Sequence, residues 1–122
     1  MSSPSGEIFD YAAPWLIYAM NWSNRAPFRL AIGSFVEEYT NTVQIVELDK
    51  NTSQFQKITE FAHPYPPTKI MWNPDTDVGG SDLLATTGDF LRLWQVNGTS
   101  VKEKHLFSTN VGSILIVLFI FV

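Results

Sequence analysis

Two stretches fifty residues apart, Met20-Asn21-Trp22-Ser23 and Ile70-Met71-Trp72-Asn73, constrain this chain most, because each opens a unit that then runs in the same order. After each comes a run of small residues, Leu30-Ala31-Ile32-Gly33-Ser34 in the first unit and Leu84-Ala85-Thr86-Thr87-Gly88 in the second. An alternating run follows, Val43-Gln44-Ile45-Val46 and then Leu91-Arg92-Leu93-Trp94. Two four-strand units of this length are the pattern of propeller blades, sheets that bury their faces only against one another.

The rest of the chain agrees with that reading. Strand-forming runs are expected at Ile17 to Trp22, Phe28 to Phe35, Thr42 to Leu48, Phe55 to Phe61, Lys69 to Trp72, Leu83 to Thr87, Leu91 to Val96 and Val101 to Phe107. The last of these alternates only weakly. Between them stand turn formers such as Asp49-Lys50-Asn51-Thr52-Ser53, Gly88-Asp89 and Asn97-Gly98, and no long stretch has helical periodicity. Connections this short join antiparallel neighbours. The 14% of aromatic residues suit half-buried pleated faces. The expected fold is all-β, two blades of an incomplete propeller, each an antiparallel four-stranded sheet. The chain divides into a flexible stretch 1–10, a first blade 11–61, a second blade 62–107 and an apolar tail 108–122.

The second unit carries more than strands. His63 precedes Trp72 by nine residues, and Leu84-Ala85-Thr86-Thr87-Gly88-Asp89 leads into Leu91-Arg92-Leu93-Trp94. This resembles a WD repeat. The resemblance implies a buried structural network of His63, Thr86 or Thr87, Asp89 and Trp94, in which a carboxylate accepts from the imidazole, a hydroxyl fixes the ring and the indole N–H finds an acceptor. Here Ala62 precedes the histidine, Gln95 follows the tryptophan, and Val46 stands where the first unit would carry its own tryptophan.

Four further segments narrow the resemblance: Tyr18 to Ser23, Leu30 to Tyr39, His63-Pro64-Tyr65-Pro66-Pro67-Thr68-Lys69, and Asp82 to Trp94. In order and spacing they resemble the transparent-testa-glabra type of WD-repeat protein and its animal counterpart, the small WD-repeat DDB- and cullin-associated factor. The plant and animal branches are not separated by these residues. The resemblance implies a protein–protein scaffold or adaptor in the nucleus and cytoplasm. Its partners would be basic helix-loop-helix and MYB transcription factors if the chain is of the plant branch. They would be dual-specificity kinases and a cullin ubiquitin-ligase adaptor if it is of the animal branch. Candidate contact residues are Tyr11, Trp15, Phe35, Glu37, Glu38, Tyr39 and Tyr65, with packing between blades as the other reading of Trp15 and Tyr65. Glu37-Glu38 also reads as a solvated turn. Pro64-Tyr65-Pro66-Pro67 reads as a stiff connector or a polyproline-type ligand.

Other functions find little support. Zero cysteines and two histidines, His63 and His105, give no basis for a metal centre, and no cofactor is expected. A net charge of −4 leaves no footprint for nucleic acid. No nucleophile, base and orienting group can be assembled around Ser23 or Ser34, so the chain is not expected to be an enzyme. The rival class is a self-contained β-domain that binds a small ligand.

A closed ring needs at least about four blades, so two blades suggest a truncated or alternatively spliced product, which would make the chain partly functional or a non-functional remnant. Nine consecutive apolar residues end the chain at Val122. As a helix, the last twelve residues would span only ~18 Å of a ~30 Å bilayer core, so no membrane role is expected. A buried strand and an aggregation-prone tail both stay open. Met1 to Gly6 lacks the basic and apolar regions of a secretory signal. The Asn21, Asn51 and Asn97 triplets that match the glycosylation pattern are therefore expected to be unused.

Overall fold

The computed structural model describes residues 8–37, 40–74 and 82–107. The apolar tail, with Glu38 and Tyr39 of the candidate surface, lies outside them. The described residues form two antiparallel four-stranded sheets. The first runs in the order β1 (Ile17–Trp22), β2 (Arg29–Ser34), β3 (Asn41–Asp49), β4 (Gln54–His63). The second runs β5 (Lys69–Trp72), β6 (Asp82–Thr87), β7 (Leu91–Asn97), β8 (Ser100–Phe107). Within each sheet, strands neighbouring in sequence pair in space, and only β4 and β5 of the described strands follow one another without pairing.

Local chemistry explains the strand ends. Phe28 has φ +60°, outside the extended region, so β2 begins one residue later than its apolar run. At the hairpin after β3, the Asp49 side chain accepts from the Asn51 N–H at 2.9 Å and its carbonyl from the Ser53 N–H at 2.7 Å. The weakly alternating last run does form a strand. Asn97 and Ser100 pair across a two-residue turn whose first residue, Gly98, has φ +62°, so β8 is set by its hairpin and not by a buried face. β4 extends two residues past its expected end, which carries His63 into the first sheet as its last residue.

The second sheet stacks on one face of the first. Ala31, Val43 and Ile45 from the first sheet share one core with Ile70, Trp72, Leu84, Trp94 and Val96 from the second. Phe61 of β4 lies 4.3 Å, ring to ring, from Trp94 of β7. Trp72 is fully buried and is tied to β1 twice: its indole N–H donates to the Asn21 carbonyl and its backbone N–H to the Asn21 side-chain oxygen, both at 3.0 Å. Gly33 permits the approach, since a Cβ there would stand 2.3 Å from Pro67 Cγ. On the far face of the first sheet, Tyr11 donates to Gln44 at 2.8 Å, and Phe9 and Trp22 both lie against Phe55.

Candidate functional site

The chain crosses from the first sheet to the second through Pro64, Tyr65, Pro66, Pro67 and Thr68, and this connector is held at two points. His63 Nδ1 donates to the Tyr65 carbonyl, which leaves Nε2 as acceptor for the Thr86 hydroxyl at 2.9 Å. Thr86 Oγ1 in turn accepts from the Trp94 indole N–H at 2.9 Å. One buried chain of donors therefore runs from β7 through β6 to the end of β4 and into the connector. The second hold is Thr68, whose N–H donates to the Thr87 carbonyl at 2.7 Å and whose hydroxyl lies 2.8 Å from that of Thr87. Gly88 lets the connector lie this close, since a Cβ there would stand 3.2 Å from the Pro66 carbonyl oxygen.

Of the residues singled out in the sequence, His63, Thr86 and Trp94 meet, whereas Thr87 turns to Thr68. Asp89 differs from its expected place beside the imidazole. The connector folds back so that its own carbonyl takes the His63 N–H, and Asp89 instead receives both terminal nitrogens of Arg92, three residues on. A two-point, charge-assisted pair across a tight turn is the stronger bond for that carboxylate. Arg92 Nε reaches Glu103 at 3.1 Å. Burial works against ionisation of Asp89, but the Arg92 hydrogen bond, backbone N–H groups and the guanidinium charge outweigh it and hold the carboxyl below its ordinary value.

Burial also pushes His63 below the ordinary histidine value of 6.5, against the opposing pull of the Tyr65 carbonyl, and the Arg92 charge pushes the same way. The unfolded chain then binds a proton near pH 6.5 that the folded chain refuses. Stability should therefore be complete above that pH and fall as pH drops below it, by at most about 1.4 kcal/mol per pH unit for this proton. Loss of the depressed carboxylates Asp89 and Glu60 belongs to lower pH. Urea midpoints measured at about pH 7.5 and about pH 5.5 check this, with a flat profile as the contrary result.

The result of this bracing is a rigid backbone from which Tyr65 projects, 56% exposed. Tyr65 and Pro66 are shared by two adjoining clefts. The smaller, about 320 Å³, is lined by Tyr18, Phe35, Thr68, Gly88 and Asp89 as well. The larger adds Val36, Glu37, Thr40, Asn41 and Pro64. Tyr18 is 51% exposed and meets Phe35 edge-on at 5.0 Å. Buried Asn41 shapes the loop between β2 and β3 that carries Phe35 and Glu37, accepting from Ser34 Oγ and the Val36 N–H, both at 2.8 Å. Of the candidate contact residues, Phe35, Glu37 and Tyr65 thus gather at this groove. Tyr11 and Trp15 are half-buried, with Tyr11 tied to Gln44. Tyr18 belongs to the groove but reads in the sequence as an ordinary strand residue. A bulge between Ile17 and Ala19 alters the alternation there, a feature with no sequence signal.

Ser34 is spent on Asn41 and Thr42, and Ser23 on its own turn and Asp82. Among the described residues no group of three His, Asp or Glu side chains gathers as a metal site.

No family model matches the chain. It is 56% identical to the DDB1- and CUL4-associated factor 7 homologue of Dictyostelium discoideum over 110 residues, covering 87% of this chain and 34% of that protein. It is 34% identical to an uncharacterized WD repeat-containing protein of Schizosaccharomyces pombe over 100 residues, covering 75% of this chain and 23% of that one. The chain therefore spans about a third or less of the length of these relatives.

Proposed function

We propose that this chain, a WD-repeat sequence of the DDB1- and CUL4-associated factor 7 kind, is part of a protein-binding scaffold whose contact surface includes the groove beside Tyr65. The observation that carries the reading is the presentation of Tyr18, Phe35 and Tyr65 around a connector pinned by part-buried hydrogen bonds. Aromatic side chains on a rigid support make low-entropy anchors for a partner. The Dictyostelium relative is named for association with DDB1 and CUL4, which supports a cullin-ligase adaptor role for the whole protein. Roles in kinase signalling or transcriptional regulation, in nucleus and cytoplasm, rest on the sequence resemblance and belong to the same proposal.

Co-purification of the tagged chain beside a Tyr18→Ala, Tyr65→Ala double variant tests the reading. Both side chains are about half exposed, so the fold should survive, as read by circular dichroism. The expected result is at least a tenfold drop in recovered partners, about 1.4 kcal/mol. An unchanged set of partners from a folded variant would overturn the groove as the contact surface.

A further inference from the structure

The groove also carries a charge pattern that says what kind of partner segment it fits. Among the described residues its two clefts are lined by two charged side chains, Glu37 and Asp89, and both are acidic. Behind Asp89, Arg92 is shared with a second carboxylate, Glu103, so these three side chains together carry one negative charge. Between the acidic flanks stand the rings of Tyr18, Phe35 and Tyr65. Aromatic faces attract a cation by their quadrupole, more strongly as desolvation increases, and repel an anion by the same physics. The smaller cleft, about 320 Å³, suits a few side chains and not a folded domain.

Resting on the docking reading above, we propose that the groove takes an extended peptide segment bearing an arginine or lysine. The cation sits among Tyr18, Phe35 and Tyr65, with the segment continuing along Val36, Thr40 and Asn41 past Glu37. Arginine fits best, since its planar guanidinium stacks on a ring while donating to a carboxylate. Glu37 is exposed on the loop, so it steers and orients the segment, and the rings supply the contact area.

The test uses the full chain with isotope-labelled tyrosine and backbone, titrated with a capped seven-residue peptide, Gly-Ser-Pro-Arg-Pro-Ser-Gly, and with the same peptide carrying citrulline for arginine. Citrulline keeps the shape and removes the charge. Saturable shifts of the Tyr18 and Tyr65 resonances with the arginine peptide are expected. Binding should be at least fivefold weaker with citrulline, severalfold weaker in Glu37→Gln, and weaker again when salt is raised. Equal binding of the two peptides would overturn the inference and leave the docking reading standing, and so would absent shifts at the groove while the tyrosine double variant still loses its partners. Retained partners in that folded double variant would instead remove the docking reading itself.

Discussion

Replacing Trp72 by alanine should unfold the two-sheet unit under conditions in which the parent chain is folded. The side chain is fully buried at the meeting of β1 and β5, in a core to which both sheets contribute. A buried tryptophan truncated to alanine costs about 3–5 kcal/mol, against a total stability of about 5–15 kcal/mol for a whole small domain. Two blades have a single mutual interface, and stability in stacked repeats is close to a sum of such interfaces, so the loss falls on the contact that holds the unit together. Phenylalanine at the same position separates the two contributions. It retains most of the apolar area but leaves the Asn21 carbonyl without the indole N–H, a cost of about 1–3 kcal/mol. Asn21→Ala removes the other bond, from the Trp72 backbone N–H, and a double-mutant cycle between the two positions should show coupling above about 0.5 kcal/mol. Urea titration followed by circular dichroism, with limited proteolysis of the His63 to Lys69 connector, reads all three variants. A Trp72→Ala midpoint equal to that of the parent would mean the sheets are not docked in solution.

How much of this arrangement could be read in advance differs between its parts for physical reasons. The eight strands were legible because β-branched and apolar residues lie between Gly, Asn, Asp and Pro turns, and that chemistry is local. β8 was the weakest of them, and its burial pattern explains why: six of its eight residues are exposed, so no core face imposes alternation on Ser100 to Phe107. His63, Thr86 and Trp94 stand at spacings that two hairpins bring together, so their meeting follows from strand pairing and needs no long-range signal. The partner of Asp89 was not legible, since a choice between an imidazole across the sheets and a guanidinium three residues away depends on how the connector folds back. Asn21 carried a signal only as part of the repeated tryptophan motif, and the two hydrogen bonds it accepts from Trp72 depend on the stacking distance between sheets. The groove was half visible. Phe35, Glu37 and Tyr65 stood out as loop residues, but Tyr18 lies within a strand, and its exposure follows from its position at the sheet end beside the bulge.

Thr86→Val should cost more stability than any change of similar size on the surface, although it exchanges one buried side chain for another of nearly the same shape. The Thr86 hydroxyl joins the two rings of the buried chain because it both receives and gives: it accepts from Trp94 Nε1–H and donates to His63 Nε2, each at 2.9 Å. Thr86 and His63 are both fully buried, so water cannot replace the lost partner without displacing core atoms. Valine therefore strands a donor and an acceptor, about 1–3 kcal/mol for each. Thr86→Ser is the control, because it keeps the hydroxyl and gives up one methyl, about 0.8 kcal/mol. Thr87→Val calibrates the neighbourhood, since its hydroxyl faces Thr68 at a part-buried position and should cost less than Thr86→Val. The effect has a second readout that a mere packing defect would not give. With the Nε2 partner gone, the preference for the tautomer that carries its proton on Nδ1 weakens, and with it the bond to the Tyr65 carbonyl that braces the connector. The nitrogen-15 shifts of His63 and the amide exchange of Tyr65 should then change together in Thr86→Val and stay near their parental values in Thr86→Ser. Equal stability and equal exchange in the two variants would sink the idea that this chain of hydrogen bonds holds the groove in place.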